Sequence, residues 1–201
     1  MLSEGQYGMI PQKEGCGITK QEARRWAKAQ RTALDMQAVG RGMTAVLTAL
    51  PCWAAADTVL AFAAMPDEPD TAALLHRTLT DGKRLLLPRV LSKTEMDWVD
   101  IPDLSLLRPG AFGILEPPAD LTAADPYHSA APLALIPCLA ASRDGVRLGR
   151  GGGYYDRFLA QYKGERLLLC PAAAVADALP CDDWDVRFAP EEILTEKGIL
   201  L

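Results

Sequence analysis

Apolar positions along this chain follow two rhythms. From Thr19 onward, Ala23, Trp26, Ala27 and Leu34 recur at roughly helical spacing, and Thr19-Lys20-Gln21-Glu22 has the capping-box pattern that opens such a helix. A second helical stretch runs through MTAVLTAL (43–50) and is expected to stop near Pro51, which has no N–H to continue it. TVLAFA (58–63) then reads as a buried strand, with MPDEPDT (65–71) as the loop at its C-terminal end. Thr71 is placed to cap the helix TAALLHRTLTD and Gly82 to end it. RLLLP (84–88) follows as the next strand, completing one βαβ unit.

The middle, from about Ser92 to Pro132, is rich in proline and yields only short strands, around DWVDI and FGILE. After it the pattern sharpens again. LALIP (133–137) makes a strand, a glycine stretch a loop, YYDRFLAQY (154–162) a helix and RLLLC (166–170) another strand. This alternation predicts a three-layer, Rossmann-like α/β sandwich with a largely parallel central sheet. Residues 19–201 are expected to form one domain, and residues 1–18, with their glycines and Pro11, a flexible leader. In such sheets ligands bind beyond the carboxyl ends of the strands, where MPDEPDT and the glycine loop both belong.

Composition narrows the function. A chain of 201 residues with 49% hydrophobic and 23% charged residues has enough apolar side chains for a real core. Its net charge of -5 argues against broad nucleic-acid binding but leaves room for a local anion site. Five cysteines, odd in number and without a C-x-x-C pair, suggest neither a disulfide framework nor a zinc knuckle, so a reduced, cytoplasmic setting is expected. The first residues do not form a secretory signal, and no apolar stretch is long enough to span a bilayer.

The chemistry concentrates in RLGRGGGYYDRFL (147–159). Gly149, Gly151, Gly152 and Gly153 lose much chain entropy on ordering, which suggests that something must approach their bare backbone. A glycine-rich loop opening a helix can surround a phosphate with N–H groups, and Arg147 and Arg150 add charged donors. The loop matches neither the P-loop nor the dinucleotide fingerprint, so a tight strand-to-helix connection stands as the alternative to an anion site. Asp156 either favours the helix dipole or holds magnesium beside a polyphosphate. Lys20 and Arg24, at i and i+4 near a helix start, form either a solvated basic face or one awaiting an anion. Cys138 reads as a small buried residue, and His76 and His128 have no ligand spacing.

Taken together these segments resemble the 5-formyltetrahydrofolate cyclo-ligase family from about Lys20 to Thr195. RLGRGGGYYDRFL is similar to its R-L-G-x-G-x-G-Y-Y-D signature. Supporting matches are K-x-x-x-R at Lys20 and Arg24, the loop MPDEPDT with Glu68 and Thr71, Gly82-Lys83 with Pro88, Met96 before an aromatic residue, and Gly113-Ile114 before Glu116-Pro117. The resemblance implies conversion of 5-formyltetrahydrofolate to 5,10-methenyltetrahydrofolate with ATP as co-substrate and magnesium as cofactor. It also implies a monomer that engages neither nucleic acid nor membrane.

Residue by residue, it implies ATP contacts from Lys20, Arg24, Arg147, Leu148, Gly149, Arg150, Gly151, Gly152, Gly153, Tyr154 and Tyr155. It implies a folate site of Ala63, Glu68, Arg150, Gly151, Gly152, Gly153 and Tyr154, with Arg150 and Tyr154 catalytic and Asp156 and Asp185 on the metal. Three departures stand out. Pro137-Cys138-Leu139-Ala140-Ala141-Ser142 replaces P-G-x-x-F-D, Trp184-Asp185 replaces His-Asp, and Gly152 stands where some members have lysine. The first raises an alternative: a sensor that binds a nucleotide or other phosphate ligand and no longer turns over, its pocket wall altered at Ala141 and Ser142.

Overall fold

Thr19 opens the first helix as its sequence pattern predicts. Its Oγ1 accepts the Glu22 backbone N–H at 3.2 Å, while the Glu22 carboxylate accepts the Thr19 N–H at 2.9 Å. The computed structural model describes residues 17–110 and 114–200. Apart from Gly17 and Ile18, the leader expected over residues 1–18 lies outside these, as do Phe112 and Gly113 of FGILE.

In chain order the elements are α1 (Lys20–Thr32), α2 (Met36–Thr48), α3 (Pro51–Ala55), β1 (Thr58–Leu60), α4 (Ala72–Thr80), β2 (Arg84–Val90) and β3 (Met96–Asp100). There follow β4 (Arg108–Pro109), β5 (Leu115–Glu116), β6 (Ala123–Ala124), β7 (Pro132–Pro137), β8 (Ala140–Ser142), β9 (Arg147–Leu148) and α5 (Tyr154–Leu159). The last are β10 (Glu165–Leu169), β11 (Val175–Ala176), β12 (Ile193–Thr195) and β13 (Gly198–Ile199).

One local expectation holds with an addition and one is corrected. The helix α2 ends at Thr48, just before Pro51 as expected. Pro51 starts the short helix α3 besides following the end of α2, because a helix's first turn has no use for the missing N–H. Thr71 precedes α4 but does not cap it with its side chain. Its hydroxyl instead donates to Phe62 O at 2.7 Å and accepts the Ala64 N–H at 3.1 Å, tying off the chain beyond β1. The Asp70 carboxylate takes the Ala72 N–H at 2.9 Å in its place.

The main sheet has eight strands in the order β13-β12-β10-β7-β1-β2-β3-β6. The run from β12 to β2 is parallel, and β13, β3 and β6 add antiparallel edges. Alternation along each strand sends side chains to opposite faces. Leu86, Ala134, Ile136 and Leu168 join one core with Ala23 and Ala27 of α1 and Phe158 and Leu159 of α5. Leu85, Leu87, Leu133, Leu135, Leu167 and Leu169 join the other, with Val39, Met43 and Leu47 of α2 and Leu74 and Leu75 of α4. Each fully buried leucine contributes roughly 1.5–3 kcal/mol relative to exposure, so this double-sided run is what holds the three layers together.

From β1 the chain moves to β2 on one side, then returns to place β7 on the other. Strand order therefore reverses between β1 and β7, and a crevice opens beyond their carboxyl ends. The loop 61–71 leaves one strand and the segment toward the glycines leaves the other.

Candidate active site

The glycine loop does not leave β7 directly. A small hairpin, β8 with β9, intervenes, and β8 also pairs in parallel with β11. Ser142 closes its turn, with its hydroxyl accepting the Val146 N–H at 3.0 Å and bonding to the Asp144 carboxylate. Ala141 and Ser142 are both fully buried, so the changes expected to alter the pocket wall lie in the core beneath the loop.

Residues 149–153 form the loop's crest. Gly151 and Gly153 adopt φ of +100° and +68°, a region that side chains disfavour, which is why glycine is needed there. Arg24 reaches across from α1 and donates Nε–H to Gly149 O at 3.0 Å. Arg147, whose side chain is 7% exposed, donates to Pro137 O at 2.9 Å and pairs with Asp156 at 3.0 Å. Its guanidinium lies 5.4 Å from the centre of the Tyr155 ring. Tyr155 in turn meets Trp98 edge-on at 6.5 Å, and burial pushes its hydroxyl pKa up. Tyr155 thus supports Arg147 from the core side, whereas Tyr154 turns outward and donates to Ser92 O at 2.8 Å.

Arg150 extends to the other side of the crest. It pairs with Glu68 at 3.1 Å and Asp67 at 2.5 Å, joining the glycine loop to the loop after β1. Glu68 is only 7% exposed, and its second oxygen accepts the Met65 N–H at 3.0 Å. Burial would raise the Asp67 pKa, but the Arg150 hydrogen bond and charge, helped by Arg31, hold it below its usual value. Ala63 is half-buried on the same loop.

On the first side lies a cleft of about 450 Å³. Lys20, Arg24, Arg147, Leu148, Gly149, Gly151 and Gly153 line it, together with Asp156, Arg157, Asp182, Trp184 and Asp185. Ala63, Glu68, Arg150, Gly152, Tyr154 and Tyr155 are not among its walls. Lys20 pairs with Asp182 at 2.7 Å and Asp185 at 2.5 Å, so the positive charge at the start of α1 is balanced by the loop opposite. The two carboxylates raise the Lys20 pKa despite burial that would lower it. Burial also opposes ionisation of Asp185, yet the Asp182 N–H and Lys20 outweigh it and depress its pKa.

Asp156 and Asp185 both face this cleft, and hard oxygen donors of this number suit magnesium, which takes one or two carboxylates and completes its shell with phosphates and water. Among the described residues no group of three or more His, Cys, Asp or Glu forms a self-sufficient metal cage. The donor set therefore fits an ion delivered with a polyphosphate.

Residues 18–196 match the model of the 5-formyltetrahydrofolate cyclo-ligase family. The chain belongs to that family. Membership makes this cyclo-ligase homologue an enzyme of the ligase class. A 5-formyltetrahydrofolate cyclo-ligase from Mycolicibacterium smegmatis is 34% identical over 148 residues, 70% of this chain and 74% of that protein. One from Escherichia coli K12 is 29% identical over 174 residues, covering 84% and 92%. The solved 5,10-methenyltetrahydrofolate synthetase of Aquifex aeolicus is 27% identical, with a TM-score of 0.77 over 91% of this chain and 92% of that one. A second, from Mycoplasma pneumoniae, has a TM-score of 0.68 at 22% identity and shares the fold.

Within this cyclo-ligase fold, sequence reasoning missed Arg31. It is 3% exposed and donates to Leu139 O at 2.8 Å, Asp67 O at 2.6 Å and Cys138 O at 2.5 Å. One guanidinium thereby fixes the end of α1, the strand exit after β7 and the loop that carries Glu68. An arginine near a helix C-terminus reads as an ordinary solvated cation, so its burial had no local signal. Gly40 of α2 was missed for a similar reason: a Cβ there would lie 2.0 Å from Asp70 O, so the helix backbone packs directly under the Glu68 loop.

Proposed function

We propose that the protein uses ATP and magnesium to close 5-formyltetrahydrofolate into 5,10-methenyltetrahydrofolate, releasing ADP and phosphate. The observation that carries this reading is the two-sided glycine loop. One flank meets Lys20, Arg24 and a cleft of triphosphate size, and the other reaches the buried Glu68 through Arg150. A loop so placed can present one substrate to another across its own backbone.

The formyl oxygen attacks the γ-phosphorus of ATP, and the bond to the β-phosphate oxygen breaks with its electron pair leaving on ADP. N10 then attacks the formyl carbon, the carbon–oxygen bond breaks, and phosphate departs with that oxygen while N10 loses its proton to solvent. Such a transfer depends chiefly on position and charge neutralisation. Lys20 and Arg24 hold the phosphates with the N–H groups of Gly149 to Gly153 and the support of Arg147, Leu148 and Tyr155. Arg150 neutralises charge on the transferring group, with Tyr154 beside it. Glu68 holds the pterin end near Ala63. Asp156 and Asp185 would hold the magnesium, which when bound supplies charge neutralisation at the phosphate oxygens.

The sensor alternative is weakened because Ala141 and Ser142 are fully buried and absent from the cleft's walls. Among the described residues no helix is long and apolar enough to cross a membrane. We read the protein as a cytoplasmic monomer, and its net charge of -5 favours small molecules over nucleic acid as its partners. The test is the near-ultraviolet absorbance of the methenyl product, formed from protein, 5-formyltetrahydrofolate, ATP and magnesium. A rise that needs all four is expected; no rise from folded, ATP-binding protein overturns the reading.

A further inference from the structure

We infer that Trp184 is the seat for the purine ring of the nucleotide, setting its base end while the glycine loop sets its phosphate end. This rests on the nucleotide reading above. Trp53 and Trp98 are buried at 2% and 3% exposure, yet Trp184 leaves 75% of its surface open. An indole is a large apolar body, and leaving one in water forfeits the stabilisation its burial would bring. Trp184 is also not on a random stretch of surface, since it lines the cleft that Lys20, Arg24 and the glycine loop share.

The side chain is displayed on a fixed turn. Asp185 N–H donates to Asp182 O at 3.0 Å, and the Asp185 carboxylate accepts the Asp182 N–H at 2.8 Å. Lys20 clamps both carboxylates from α1. The cleft's remaining walls are cations, carboxylates, glycine backbone and the small or branched side chains of Ala160 and Leu148. They offer much to a triphosphate, and the only flat faces they offer a heteroaromatic base are guanidinium planes, two of which, on Arg147 and Arg157, already lie over the Tyr155 and Tyr154 rings. Among the described walls Trp184 is the one aromatic ring, and base stacking on such a ring does not need hydrogen-bond readout.

Calorimetric titration of wild type, Trp184→Ala and Trp184→Phe with magnesium-ATP, magnesium-tripolyphosphate and 5-formyltetrahydrofolate tests this. Trp184→Ala is expected to weaken ATP roughly tenfold or more, with tripolyphosphate and folate within about twofold of wild type and Trp184→Phe keeping most of the ATP affinity. Unchanged ATP affinity in Trp184→Ala overturns the assignment while leaving the nucleotide site intact. Equal loss of ATP and tripolyphosphate overturns it in favour of a damaged turn, and loss confined to folate overturns it in favour of a folate contact. If wild type binds neither ATP nor tripolyphosphate, the nucleotide reading itself falls and takes this one with it.

Discussion

Arg150 donates its Nε–H to Glu68 Oε1 at 3.1 Å, linking two loops 82 residues apart in sequence. The Glu68 loop follows β1, and the chain leaving the neighbouring parallel strand β7 reaches the glycine loop through the β8–β9 hairpin, so the bond spans the crevice where strand order reverses. A half-exposed guanidinium thus reaches a nearly buried carboxylate at the boundary between the two proposed substrates.

Arg150→Ala is expected to lower turnover about a hundredfold or more, the scale seen when a charge-stabilising donor is removed. The substitution leaves the sheet and both cores untouched, so the variant should remain folded. Steady-state product formation measures the effect, and near-normal turnover would remove Arg150 from the mechanism.

Glu68→Gln retains a hydrogen-bond acceptor for the Met65 N–H but loses the negative charge. The expected result is a raised KM for 5-formyltetrahydrofolate with ATP affinity little changed. Equal weakening of both ligands would instead mean that the loop had lost its shape.

Arg31→Met removes the guanidinium that serves three backbone carbonyls and leaves them without that donor. Hydrogen bonds to charged groups contribute about 1.5–3 kcal/mol each and are not additive, so a loss on the order of 3 kcal/mol is expected. Urea denaturation would show it as a lower midpoint at unchanged slope, whereas an unshifted midpoint would mean that the carbonyls find other donors.

The Lys20–Asp185 pair gives stability a two-limbed pH profile. Asp185 titrates below its usual 3.8 in the folded protein, so its contribution is full above that value and is lost as pH falls through the depressed one. Lys20 titrates above its usual 10.5, so its contribution is full below that value and is lost as pH rises through the raised one. Asp185→Asn should flatten the acid limb of denaturation midpoint against pH, and Lys20→Met the alkaline limb. An acid limb as steep in Asp185→Asn as in wild type would place that titration elsewhere.

Gly151→Ala puts a side chain at φ +100°, with its Cβ 3.4 Å from the Arg24 guanidinium. Strain of this kind costs about 1–3 kcal/mol, and an exposed crest is expected to relieve it by changing shape. ATP affinity should fall about tenfold with a small shift in melting temperature; retained affinity would mean that this backbone conformation is not needed for binding.

The helices and parallel strands were legible because their side chains answer to nearby neighbours. The Thr19–Glu22 pattern needs only one helical turn, and the leucines of RLLLP and LALIP face a core on either side whatever lies beyond. Where a residue answers to a distant partner, the local rule failed. Thr71 has the identity of a cap, but Phe62 O and Ala64 N–H compete successfully for its hydroxyl. The β8–β9 hairpin was hidden because PCLAAS carries no alternation, both of its faces being buried.

The site was legible to a different degree. Spacing alone left Lys20 with Arg24, and the glycine run, each open to two readings; the family resemblance assigned them to one ATP site, and the fold brings Lys20, Arg24, Gly149, Gly151 and Gly153 to the walls of one cleft. The pairing of Lys20 with Asp182 and Asp185 spans 162 and 165 residues, beyond the reach of any local pattern. Arg31 shows the same limit, since its three acceptors are backbone carbonyls that no residue type advertises.

Gly40 gives the crevice a floor whose height is set by a missing methyl group. The α2 backbone and Asp70 approach so closely that a single carbon between them would lift the segment bearing Glu68. The smallest lever on the proposed folate carboxylate therefore sits on a helix outside the cleft's walls. A designer wishing to retune that carboxylate's reach could work from beneath the floor, leaving every ligand-facing side chain as it stands.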